Sequence, residues 1–150
     1  MTSPPLFLAG PDREIHDAAL HYWSDFGWPV RTTTTEVVLT LQRDLLAVAM
    51  PAGRGTALLA MLEESGARGG VVSLRGEQEQ WWAFLVTPPE QRRARPPKGL
   101  WVFSEGTDIP LPHDPPSVNG IAWIREPVPG AALFDGDVLL DAAAAHPHSE

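Results

Sequence analysis

The residues best placed to do chemistry are Gly53-Arg54-Gly55-Thr56, inside the stretch "RDLLAVAMPAGRGTALLAMLEESG" that runs from Arg43 to Gly66. An apolar strand, a glycine-bearing turn and a helix follow one another here. In α/β proteins such a joint holds catalytic acids or binds phosphate on helix N-terminal amides. The strand side, Leu45 to Met50, carries no acid. A Walker-type loop needs a lysine after its last glycine, and a dinucleotide fingerprint needs a third glycine; neither is present. What remains is an anion held on backbone amides with Arg54 beside them. The plainer alternative is that Gly53 and Gly55 only let the chain turn.

Other chemistry is sparse. His113-Asp114 sits in a proline-dense stretch without a further ligand at helical or hairpin spacing, so a metal site is not expected there. His146 and His148 make a weaker tail motif, and Asp135, Asp137 and Asp141 suit the start of a helix. No Gly-x-Ser-x-Gly elbow surrounds any serine. The chain has no cysteine, which excludes disulfides, thiolate zinc sites and cysteine nucleophiles. Arg92, Arg93, Arg95 and Lys98 form the main basic run, between Pro88-Pro89 and Pro96-Pro97; a solvated loop is the bland reading and a nucleic-acid contact the sharp one. Six tryptophans are present. Trp81 and Trp82 are adjacent in a strand, so their rings must point to opposite faces. Either helices cover both faces, or one ring is free to stack a base or anchor a partner.

The elements that must position these residues read as a single domain. The 150 residues, 43% hydrophobic, suffice for one core. A formal net charge of -8 opposes binding of a polyanion by bulk electrostatics. No apolar run spans a bilayer and Met1 to Ala9 is unlike a secretory signal, so a cytoplasmic location without membrane contact is expected. Residues 1–10 read as a flexible arm, 11–145 as the domain and 146–150 as a tail.

Within the domain, Ile15, Ala18, Ala19, Tyr22, Trp23 and Phe26 stripe a first helix that Gly27 ends. Arg31 to Gln42 is expected as one strand, and Leu45 to Met50 as a strand buried on both faces. Ala52-Gly53-Arg54-Gly55 is expected as a turn, followed by a helix that Gly66 stops. Val71–Leu74 and Trp81–Thr87 read as an antiparallel hairpin, Leu100–Ser104 and Gly120–Ile124 as further strands, and Pro110 to Pro116 as a loop. Asp135 is expected to cap a closing helix. The sum is an α+β domain with a central mixed, largely antiparallel sheet flanked by helices.

This order carries a resemblance. A helix, Gly27-Trp28-Pro29-Val30, an apolar strand ending in Met50-Pro51, the Gly- and Leu-rich helix, a hairpin ending in "WWAFLVTP", and Pro110–Pro116 followed by Gly120 and Trp123 together resemble the N-terminal domain of bifunctional DNA primase/polymerases. That is the prim-pol branch of the archaeo-eukaryotic primase superfamily, and the likeness is greatest to its small, divergent, stand-alone actinobacterial members. It runs from about Ala18 to Ala143. Active members of the family place metal-binding aspartates on the strand before the glycine turn, where the metals neutralise the triphosphate. They also use a histidine on the next hairpin. Here Leu45 to Met50 has no aspartate, Asp44 does not match, and Val71–Val86 has no histidine.

The resemblance therefore implies a catalytically degenerate primase-polymerase-like domain, an accessory or regulatory relative of replication proteins. It would bind nucleotide or single-stranded nucleic acid, with Gly53, Arg54, Gly55, Arg75, Arg92, Arg93 and His113 as candidate ligand contacts. No catalytic residue, metal ligand or cofactor is assigned. The alternative is a protein-interaction or regulatory module with no nucleic-acid binding. A basic cleft beside Gly53–Gly55 would favour the first, an acidic or apolar one the second.

Overall fold

The structure, a computed structural model, describes residues 13–33, 35–75, 79–90, 99–113 and 121–145. The expected arm at 1–10 and tail at 146–150 lie outside them, as does the basic run at 92–98. The chain order is α1 (Arg13–Phe26), β1 (Val30–Thr32), β2 (Val37–Thr40), β3 (Leu46–Pro51), α2 (Ala52–Glu64), β4 (Val71–Arg75), β5 (Gln80–Val86), β6 (Trp101–Phe103), β7 (Asp108–Leu111), β8 (Ala122–Arg125) and α3 (Gly136–Ala145).

The class is α+β, and the strands pair antiparallel. The strands are divided between two sheets rather than gathered in one central sheet: β1-β2-β7, and β6-β3-β5-β4-β8. The mixed character is confined to one parallel bridge, Val86 to Phe134. A shared ribbon explains the division. β2 pairs with β7 and β3 with β6, so the segments 37–51 and 101–111 run side by side through both sheets. They cross from one sheet to the other at the Arg43-Asp44 turn, closed by reciprocal Gln42–Leu45 hydrogen bonds of 3.1 Å, and at the turn that Gly106 makes with φ +92°.

Three expectations are corrected. Arg31 to Gln42 is a hairpin, because Thr33 Oγ1 accepts from the Glu36 amide at 3.0 Å and reverses the chain between β1 and β2. Pro110 is in a strand, paired opposite Val38. β7 is the outer strand of its sheet, where the missing proline N–H faces no neighbour. Ala52-Gly53-Arg54-Gly55 is the first turn of α2 itself. Pro51, at φ -58° and ψ 146°, leads from the strand straight into the helix, so no separate turn is needed.

Two cores lie on opposite faces of the five-stranded sheet, because β3 and β5 alternate. Ala47, Ala49, Ala83 and Leu85 face α1 and the small sheet, where Tyr22, Trp28, Leu39 and Ile109 complete the first core. Val48, Met50, Phe84 and Val86 face α2 and α3, where Leu58, Leu62, Phe134 and Leu139 complete the second. Trp81 packs against the first core and Trp82 against the second, so both faces are covered. Gly66 ends α2 at φ +87°. Asp135 caps α3, its Oδ1 accepting from the amides of Asp137 at 2.9 Å and Val138 at 3.1 Å.

Candidate functional site

The β3–α2 joint is packed solid. Arg54 is 7% exposed and turns inward, donating to the Ala143 carbonyl at the end of α3 over 3.1 Å. Burial lowers its pKa from the ordinary guanidinium value. Gly55 is buried beneath an indole: a Cβ there would lie 2.9 Å from Trp82 Cε3. Its lack of a side chain serves helix-on-sheet packing. Gly53 is exposed, with nothing within 4 Å of where a Cβ would stand. Arg75 is exposed at the end of β4. Because Leu74 pairs with Trp81 and Trp81 with Pro51, Arg75 lies at the same end of the sheet as the start of α2. The structure thus brings Gly53, Arg54, Gly55 and Arg75 to one sheet end, but only Gly53 and Arg75 face solvent. Arg92 and Arg93 lie outside the described residues.

His113 is elsewhere, and it leads to a recess that the sequence did not announce. The recess has a volume of about 240 Å³ and is lined by His21, Tyr22 and Phe26 of α1, His113 just after β7, and Trp123 and Glu126 on and after β8. Beneath it Trp28 stacks on Phe26, with centroids 4.5 Å apart, and on Tyr22 at 5.9 Å. Trp123 meets Tyr22 edge-on at 6.1 Å. Such offset and edge contacts suit the ring quadrupoles.

Hydrogen bonds fix these walls. Tyr22 Oη donates to the Pro112 carbonyl at 2.6 Å and accepts from Trp123 Nε1 at 3.0 Å. The phenol's pKa is pushed up to about 12, first by burial and then by the nearby Glu126 carboxylate; the indole hydrogen bond works in the other direction. His113 Nε2 is 3.1 Å from the Thr35 carbonyl. A carbonyl only accepts, so Nε2 carries a proton, and the ring's other nitrogen is Nδ1. That Nδ1 is buried with no hydrogen-bond partner. His21 Nδ1 pairs with Asp25 Oδ2 at 2.9 Å. Glu126 is exposed, and no described basic residue pairs with it.

A larger cavity of about 300 Å³ lies beyond the end of β8, between Arg68, Arg125 and Phe134. Its Arg125 is already ion-paired with Glu63. It combines acids and bases without a directed polar group, so the aromatic recess is the better-defined site. Among the described residues, no three His, Asp or Glu side chains gather where a metal ion could bind, and no helix is long and apolar enough to cross a membrane.

Sequence reading missed Tyr22, Phe26, Trp123 and Glu126 as site residues. Tyr22 and Phe26 read as part of the first helix's apolar stripe, and Trp123 as part of a strand. The signal available was modest: the chain's one tyrosine lies on the apolar stripe of α1, where a phenol needs a polar partner. Compared with known protein families, curated proteins and solved structures, the chain matches none.

Proposed function

We propose that this chain is a non-catalytic binding module, built on a scaffold like that of the primase-polymerase domain, which recognises a segment of a partner protein. The observation that carries the reading is the aromatic recess between α1, the end of β7 and β8. Its walls are preformed and hydrogen-bonded, and among the described residues its Glu126 carboxylate has no basic partner. Packing at the β3–α2 joint supports the same view. The strand positions from which a nucleotidyl-transfer enzyme would present acids are occupied by Ala47, Val48, Ala49 and Met50, each committed to a core. Arg54 is likewise committed to α3.

A second reading, binding of nucleotide or single-stranded nucleic acid, has one observation in its favour. Exposed Gly53 and Arg75 share a sheet end with the start of α2, where no side chain caps the first amides.

Titration of labelled single-stranded DNA and of nucleoside triphosphate with Mg²⁺, at low and moderate salt, separates the two. The module reading expects flat curves. Saturable binding that weakens with salt and is lost in Arg75→Ala or in Arg92→Ala/Arg93→Ala refutes it.

A further inference from the structure

The recess is specific in its chemistry as well as its shape. Most of its polar atoms are already engaged. The Tyr22 hydroxyl proton goes to Pro112, and the Trp123 N–H goes to Tyr22. His113 gives its Nε2 proton to Thr35, which leaves Nδ1 buried without a partner. His21 is engaged through Nδ1 with Asp25. Glu126 brings a carboxylate. Glu126 also borders the larger cavity, where Arg125 is ion-paired with Glu63. The described side chains lining the recess thus offer aromatic faces, a carboxylate and imidazole rings.

An anion or a phosphate would face the Glu126 carboxylate. A neutral apolar group would leave the carboxylate unanswered. A planar cation rich in N–H groups answers both features: it stacks on aromatic faces and pairs with a carboxylate.

Resting on the binding-module reading above, we propose that the recess binds the guanidinium of an arginine side chain presented by the partner protein. The guanidinium packs against the aromatic wall that Tyr22, Phe26 and Trp123 give the recess and pairs with the Glu126 carboxylate. Charge complementarity holds at long range as well, since a chain of net charge -8 attracts basic segments.

The test is an NMR titration of the intact chain with N-acetyl-arginine amide and its neutral isostere N-acetyl-citrulline amide, read at the Trp123 indole Nε1–H resonance. Arginine amide is expected to shift that resonance saturably, and citrulline amide to need at least about tenfold more ligand. Glu126→Gln, an exposed and conservative change, is expected to weaken arginine amide about tenfold while leaving the remaining spectrum in place. Equal binding of the two amides overturns the cation assignment and leaves the recess as a recognition site. No shift with either amide overturns the assignment too. The DNA and nucleotide titrations, which use neither amide, then decide the broader reading independently.

Discussion

Tyr22 offers a quantitative test of how the recess is built. In an unfolded chain the phenol ionises near 10.0, and in the folded protein near about 12. Below pH 10 both states keep the proton and stability is indifferent to this group. Between pH 10 and about 12 the unfolded state has released its proton and the folded state has not. Stability then falls by roughly 1.4 kcal/mol per pH unit, and it levels off once the folded phenol also ionises. Across the window the loss approaches ~3 kcal/mol, a large fraction of an ordinary domain's stability.

The chain has one tyrosine and no cysteine, so phenolate absorbance in the near ultraviolet reports this residue alone. Its midpoint is expected well above 10 while circular dichroism still shows the folded state. Tyr22→Phe supplies the control. At neutral pH it strips a partner from the Pro112 carbonyl and from Trp123 Nε1, at an expected loss of about 1–3 kcal/mol in urea unfolding. Between pH 10 and 12 its stability should decline less steeply than that of the parent protein, because both share every other alkaline group. A folded-state phenol midpoint near 10, or identical alkaline slopes for the two proteins, would refute the buried and doubly bonded description of Tyr22.

Other expectations concern packing and charge. Gly55→Ala forces a Cβ against the Trp82 ring and should lower stability by roughly 1–3 kcal/mol. Gly53→Ala, two residues earlier and in open space, should raise it by up to about 1 kcal/mol; thermal unfolding of the pair checks both signs. Ser73 is 2% exposed and its hydroxyl has no hydrogen-bond partner, so Ser73→Ala should stabilise the fold by about 1 kcal/mol in chemical denaturation. The Asp108 carboxyl is held below the ordinary aspartate range, first by the Thr40 hydroxyl and then by Arg31. Its contribution to stability is present above the ordinary value and is lost as pH falls through the folded one. An NMR titration of its carboxyl carbon should show the depressed midpoint, and Thr40→Val should move it back up.

What the sequence disclosed follows from which forces are local. The β3–α2–β4–β5 run was legible because a continuous apolar strand, Gly66 and the apolar run after Gln80 are each signals within a few residues. The capping by Asp135 was legible for the same reason. The break at Thr33–Glu36 was hidden, since threonines and valines flank it on both sides and the reversal is closed by the Thr33 hydroxyl and a Thr33–Glu36 backbone hydrogen bond. β7 was hidden because Pro110 reads as loop unless the strand is known to lie at a sheet edge. The recess was least legible of all. Its walls come from residues 22, 26, 113, 123 and 126, and only packing brings α1 against the end of β7 and β8. The glycines at 53 and 55 drew attention as a ligand loop, whereas Gly55 answers to the width of Trp82.

The shared ribbon has a consequence for how the chain can be made. β2 cannot complete its sheet until β7, whose Asp108 pairs with Thr40, has been synthesised. Tyr22 finds its two hydrogen-bond partners 90 and 101 residues further along the chain. The N-terminal third therefore emerges from a ribosome long before its long-range contacts exist, and its aromatic side chains have only one another to pack on in the meantime. Apart from the β1–β2 hairpin, the β3–α2–β4–β5 segment is the stretch with partners close at hand. Assembly during synthesis would start from the middle of the chain, with α1 and the small sheet closing over it last.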